Sequence, residues 1–447
     1  MANDKAQRPN LTATSVGKAE LALSYPGGAV GQLPNAWLML LAALLAIPVL
    51  ASFVVDGNSS GQLGWDLHVN CAAVDAYREG LDPYLISNLR NTTFAYPYLP
   101  VTLDLFRPLC SAGLLVDHHR AVYLVLAILC GLLLPGLGAP RAGLRDTCLR
   151  VLCALGAFVG FEWTLASGNF SIFTGLLTAV ALALLLGRGP LDEEDKSFML
   201  RLTGAAVLGL VTSFKLVFCP VLASLYFLPQ PRFRKLILIA VAIGMFILPI
   251  LISMLFYADL FGSWLRAISG QIPGQLGVAQ DRMNPSLFIF VQGVAKHWGL
   301  AGSEAIVFAL YGLAAIALVL APFTLSVSRA IGDRAIPETG WLANRLDRWL
   351  IDHPRDAARI TVLAMYALYL CSPRLKEYAF FELAIYAAVL IVDLPAMAIV
   401  AVLTVAILIP TSVSISGGAI EGGFLQLVAA LLCFWVFLAD FRKVHQP

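Results

Sequence analysis

Long apolar runs separated by short polar stretches repeat from residue 36 to residue 440. A helix needs about 20 apolar residues to cross the hydrocarbon core of a bilayer, and the pattern predicts spans at 36–55, 121–137, 148–166, 170–186, 236–257, 303–325, 360–370, 379–393, 395–412 and 423–440. Residues 202–229 are too long for one span and hold Lys215 near the centre with Pro220 beyond it. They read as two short half-spans that turn near Lys215. The whole is an all-α polytopic membrane protein with about 12 transmembrane helices.

The polar stretches divide the rest. Residues 1–34 are polar and bear Pro and Gly, which predicts a disordered cytoplasmic tail rather than a cleavable signal peptide. One transmembrane domain covers 35–441, and 442–447 form a second cytoplasmic tail. A first outer loop runs over about 56–119, a second over about 258–302, and an inner loop over 328–359 carries an amphipathic segment near 341–351.

Residues 98–116 set the parity. They are apolar enough to cross, yet they hold Asp104, Arg107 and two prolines. If they cross, Arg141, Arg145 and Arg150 fall outside; if they lie against the outer leaflet, every later basic loop falls inside. The positive-inside rule selects the second arrangement. Two thirds of the chain's 30 Lys and Arg are then inside, and Asp66, Asn169, Lys215, Asn284 and Lys376 share the outer, periplasmic side of the plasma (inner) membrane.

Composition narrows the class. Charged residues make up 13% of the 447 and hydrophobic ones 59%, against about 25% charged in soluble domains. Mean hydropathy is +0.80. A net charge of +2 with no basic, aromatic-interleaved patch offers nothing to nucleic acid. Eight cysteines lie scattered with no C-x-x-C pair, so neither a metal site nor a disulfide framework is indicated. Cys71 and Cys110 share the first outer loop, where they are either bridged or free.

That loop holds the densest chemistry. Asp66, Asn70 and Tyr77 recur at spacings that put them on one helix face. Asp66 would sit at the helix start, where the dipole favours the carboxylate. It is there either a cap or a base. Further on come Gly80, Asp82-Pro83-Tyr84 and Tyr96-Pro97-Tyr98, closing at Pro100. Together with Ala72 and Ala73, these residues resemble the C-type (GT-C) fold of lipid-phosphosugar-dependent glycosyltransferases, and within it glycosyltransferase family 87, which contains polyprenol-phosphate-mannose-dependent mannosyltransferases. Shorter echoes occur at Gly168-Asn169, Lys215 with Pro220, Asn284 with Ser286-Leu287, and Ser372-Pro373, so the resemblance spreads over about 60–380. It implies a GT-C-like bundle with a functional first outer loop, an Asp base there, and a polyprenyl-phosphate sugar as donor. Family members tend to carry a His-containing aromatic motif after the Ser-Pro. Here Arg374-Leu375-Lys376-Glu377-Tyr378 takes its place, which leaves sugar and acceptor open.

Glycosyl transfer from a lipid phosphate needs a base for the acceptor hydroxyl, cations for the leaving phosphate, and a groove for the lipid. Asp66 is the expected base, and a single carboxylate implies inversion. Lys215, Arg374 and Lys376 are the expected phosphate ligands; Lys215 alternatively snorkels to the interface. His68, Asn70, Asn169, Asn284, His297 and Glu377 are further substrate-binding candidates. Tyr84, Tyr96, Tyr98 and Trp264 either stack on sugar rings or anchor the loop at the interface. Glu162, inside an apolar run, demands a partner and is expected to support the site. No cofactor or metal is expected. The partners would be the polyprenyl-phosphate sugar, a glycolipid or glycan acceptor, and membrane lipid. A secondary transporter or lipid flippase also accounts for Lys215 and Glu162, but it predicts charges in two matching halves, and no internal repeat is visible.

Overall fold

The computed structural model describes residues 35–59, 63–111, 114–137, 143–187, 194–272, 284–300, 302–332, 342–416 and 424–444. The expected N-terminal tail, the middle of the second outer loop and part of the inner loop lie outside the described residues. Every regular element among those described is helical.

Helix α1 (Asn35–Ser59) is followed by the first loop, which folds as α2 (Trp65–Arg78), an irregular Tyr/Pro segment and α3 (Thr102–Ser111). Ten residues of α-helix reach only about 15 Å, so α3 is too short to cross, as the parity argument requires. The bundle continues with α4 (Leu114–Leu133), α5 (Leu144–Gly156), α6 (Gly160–Ser167), α7 (Ser171–Leu186) and α8 (Glu194–Ser213). The chain turns at Lys215 and returns through a twelve-residue 3-10 helix, Leu216–Phe227. At about 2.0 Å per residue that helix reaches about 24 Å, the length of the sixteen-residue α7 beside it. The expected pair of segments turning near Lys215 is present, the second of them stretched to the depth of its neighbours.

Helix α9 (Arg232–Phe256) leads into the second loop, with α10 (Ala258–Ile268) and α11 (Leu287–His297). The remainder comprises α12 (Glu304–Ala315), α13 (Ala321–Gly332), α14 (Leu342–Asp352), α15 (Pro354–Leu370), α16 (Phe380–Ile391), α17 (Ala396–Leu403), α18 (Ile409–Ile415) and α19 (Leu425–Val444). Short π-helical turns join α12 to α13 and α17 to α18.

Of the roughly 12 spans expected from apolar length, seven among the described residues are long and apolar enough to cross a membrane. The rest are shorter, and two of them, α15 and α16, are held inside the bundle. All twelve residues of α16 are buried, and α16 packs on α5, α6, α7 and α15. A helix surrounded by protein needs no lipid-matched length, and hydropathy alone cannot separate it from one that faces lipid.

The expected span at 148–166 is broken. Phe158 and Val159 take left-handed conformations with φ 58° and 55°, which cost about 1–2 kcal/mol each for residues bearing a Cβ. Gln426 donates to the Phe158 carbonyl at 2.9 Å, satisfying one backbone group that the break frees. Just beyond it Gly160 lies against the α16 backbone, where an added Cβ would stand 2.4 Å from Phe381 N. The Gly156/Gly160 spacing thus serves close approach, Gly160 to α16 and Gly156 to Val49 of α1.

The first loop has its own core. Val69, Ala73, Tyr84, Tyr96, Tyr98, Leu103 and Phe106 cluster with Phe170 of the α6–α7 turn and Trp264 of α10. A Cys71–Cys110 disulfide ties α2 to α3, resolving the alternative that the sequence left open.

Candidate active site

Two glycines bring the first loop onto the bundle. Gly64 precedes α2 at φ 81° and Gly168 ends α6 at φ 67°, a region open to glycine at no steric cost. They pack so closely that a Cβ on Gly168 would lie 3.0 Å from Gly64 Cα. The Gly64 N–H donates to the Ala166 carbonyl at 2.8 Å, and the Tyr123 hydroxyl donates to the Gly168 carbonyl at 2.9 Å. Asp66, in the first turn of α2, then meets Asn169, the residue after Gly168. Gly64 occupies the cap position without a side-chain bond, so Asp66 is not the cap.

From Asp66 a hydrogen-bonded chain runs across three helices. Asn169 Nδ2 donates to Asp66 Oδ2 at 2.6 Å. The Asn169 side-chain oxygen, Oδ1, accepts from both the Ser171 N–H at 2.9 Å and the Ser171 hydroxyl at 2.6 Å. Lys215 Nζ donates to that hydroxyl at 2.6 Å. The two Ser171 donors fix the amide, so its NH2 must face Asp66. Every bond in the chain points the same way, from the lysine cation to the aspartate anion, and such chains polarise one another. Among the expected residues, Asp66, Asn169 and Lys215 form one unit.

The Ser372–Tyr378 turn closes the cluster. Asn284 Oδ1 accepts from the Leu375 N–H at 2.7 Å, and the Ser286 hydroxyl donates to the Pro373 carbonyl at 2.8 Å. Asn284 and Ser286 are buried; they anchor the turn, and Asn284 reaches the site only through it. Arg374 is close enough to Lys215 for their charges to interact. Tyr378 lies between two lysines, with Lys215 Nζ 4.7 Å and Lys376 Nζ 5.9 Å from its ring centroid, within cation–π range. Glu377 sits half-buried in the same turn.

Other expectations are corrected. Tyr84 and Tyr96 are 0% exposed and cannot stack on a sugar. The Tyr84 hydroxyl donates to the Tyr98 carbonyl, Tyr96 pairs with the Thr102 hydroxyl, and burial drives both phenols far above their usual pKa. Trp264 is likewise buried, its indole N–H on the Pro97 carbonyl at 3.3 Å. Tyr98 is 8% exposed and lies near Asp66 and Tyr378; burial first, then those neighbours, keeps its hydroxyl protonated. His68, two residues after Asp66 on the helix, is exposed and lies near His119. Asn70, one turn on from Asp66, shares its face and is buried. His297 is exposed in the last turn of α11. Glu162 accepts from Ser414 of α18, a helix that contributes nothing to the Asp66–Lys215 chain.

The sequence reading missed Ser171, Tyr378 and, above all, Glu382. Glu382 Oε1 accepts from the Thr174 hydroxyl at 2.7 Å and lies 3.7 Å from Lys215 Nζ. The signal was available: Glu382 is the lone charge in the apolar run 379–391, and a lysine at membrane depth demands a partner. Among the described residues no three His, Cys, Asp or Glu side chains gather as metal ligands do.

Asp66 and Lys215, joined through Asn169 and Ser171, stand with the Ser372–Tyr378 turn in a helical bundle apolar enough to cross a membrane. Residues 94–346, more than half of the chain, match the family model of glycosyltransferase family 87, and the chain belongs to that family. It is accordingly a membrane glycosyltransferase, and nothing favours the transporter alternative. The matched stretch holds Asn169, Lys215 and Asn284, while Asp66, Arg374, Lys376 and Glu382 lie outside it and stand on geometry. No curated protein matches the chain.

Proposed function

We propose that the protein transfers a sugar, a mannose-like hexose by resemblance, from a polyprenyl-phosphate donor to a glycolipid or glycan acceptor on the extracytoplasmic face, with inversion. Asp66 takes the proton of the acceptor hydroxyl as its oxygen attacks the anomeric carbon. The bond from that carbon to the phosphate oxygen breaks, and its electron pair stays on the phosphate. Lys215, Arg374 and Lys376 balance that charge, so that in this reading the phosphate is served by side-chain cations without a metal. The observation that supports the reading is the Lys215–Ser171–Asn169–Asp66 chain, which joins the proposed base to the proposed phosphate ligand through hydrogen bonds. The Cys71–Cys110 disulfide in the loop that bears Asp66 supports the outer side, since disulfides persist in oxidising compartments.

The test is a donor screen. Purified protein is given radiolabelled polyprenyl-phosphate sugars and, in parallel, the matching nucleotide sugars, with glycolipid acceptors. Transfer from a polyprenyl-phosphate sugar is expected. Transfer only from nucleotide sugars would overturn the donor assignment.

A further inference from the structure

Glu382 stands oddly for a structural counter-ion. It is 3% exposed, on a helix buried along its whole length. Its Oε2 accepts no short hydrogen bond among the described residues, and the Tyr369 hydroxyl stands beside the same carboxylate. Both residues line a cavity of about 20 Å³ that Thr174, Thr178, Thr212 and Lys215 also border, room for a single water. A buried carboxylate with an unfilled oxygen destabilises a fold. Where Lys235 meets Asp347 the carboxylate closes to 2.7 Å. Lys215 instead gives its short bond to the Ser171 hydroxyl and keeps Glu382 at 3.7 Å. The carboxylate stands beside the lysine at a longer distance than in the closed pair.

Sugar transfer changes the charge that the lysine faces. The donor is a phosphodiester with one negative charge. The product is a phosphomonoester that gains a second as the sugar–oxygen bond breaks, while the acceptor proton passes to Asp66. Coulomb repulsion scales with ligand charge, and in a site shielded from bulk water salt screens it weakly. We propose that Glu382 is a positioning residue for product release: a fixed negative charge beside Lys215 that weakens the hold on the monoester dianion more than on the diester donor. This rests on the glycosyl-transfer reading. Glu382 touches no reacting atom and acts through the lysine.

The experiment compares the wild type with Glu382→Gln, which keeps the shape and the Thr174 bond and removes the charge. Inhibition by a long-chain polyprenyl monophosphate is expected to tighten about tenfold, while donor KM moves less than about threefold. Single-turnover transfer should hold within about threefold while steady-state kcat falls, because release becomes slower than chemistry. Thr174→Val, which removes a hydrogen bond and no charge, should leave monoester inhibition unchanged. If Glu382→Gln does not fold, Glu382→Asp carries the test: it withdraws the carboxylate from Lys215 and should tighten monoester inhibition about threefold. Unchanged or weaker monoester inhibition in whichever variant folds overturns the proposal, as does a loss in single-turnover rate equal to the loss in kcat. A wild type that transfers from no polyprenyl-phosphate sugar refutes the underlying reading instead.

Discussion

The two ends of the bundle treat charge differently. At the end where α9, α14 and α15 begin, three cations each close on a carboxylate: Lys235 on Asp347 at 2.7 Å, Arg359 on Asp440 at 2.7 Å, and Arg355 on Asp393 at 3.0 Å. Two of them also lie over aromatic rings, Lys235 over Tyr226 and Arg359 over Phe441. These are finished pairs that hold helices in register. At the Asp66 end no such closure occurs between Lys215 and its acids. Lys215 binds a hydroxyl, Asp66 binds an amide, and Glu382 stands off at 3.7 Å. A closed ion pair has little left to offer a ligand. Charges held apart by neutral side chains keep their capacity for one, and that is the difference between a clamp and a site.

Substitutions at the two ends should therefore fail in different ways. The largest loss of stability belongs to Lys235→Met, which leaves Asp347 buried and unpaired; about 3–5 kcal/mol is expected in detergent unfolding, with transfer per folded molecule unchanged. Lys215→Met should show the reverse. Transfer should fall about 10²–10³-fold, or about 2.7–4 kcal/mol of barrier, with a smaller shift in unfolding, since Lys215 gives its short bond to the Ser171 hydroxyl and stands 3.7 Å from Glu382, whereas Lys235 closes on Asp347 at 2.7 Å. Equal losses of stability at both lysines would erase the distinction. Gly168→Ala sharpens it: the left-handed conformation should cost about 1–2 kcal/mol, and displacement of Asn169 should lower transfer further. Arg355→Ala should be the mildest, below about 1 kcal/mol by thermal unfolding, because the arginine side chain is 55% exposed.

Much of this was legible in the chain. The apolar runs marked the helices, the prolines and charges of 98–116 set apart a stretch whose helix is only ten residues long, and the apolar surroundings of Lys215 drew attention to it. Asp66 and Asn169 were found as separate motifs, yet their contact depends on Gly64 and Gly168 packing back to back across 104 residues of sequence, which no local pattern encodes. Tyr84 and Tyr96 misled because a loop tyrosine reads the same whether it faces a sugar or fills a small core. Glu382 was overlooked because the hydropathy that flagged Lys215 in a turn absorbed a single carboxylate in a stronger apolar run. The break at Phe158–Val159 carries no glycine or proline at the strained positions, so nothing in the sequence announces it.

The central claim is that Asp66 is the general base. Asp66→Asn keeps the size of the side chain, and its carbonyl oxygen can still accept from Asn169 Nδ2, so the chain to Lys215 should survive along with folding and donor binding. What it loses is the ability to take a proton, a contribution of about 10²–10⁴-fold. Single-turnover transfer at saturating donor measures that loss directly. The account predicts a fall of at least about 10²-fold with donor affinity unchanged; a rate within about threefold of the wild type, less than a kcal/mol of barrier, would contradict it.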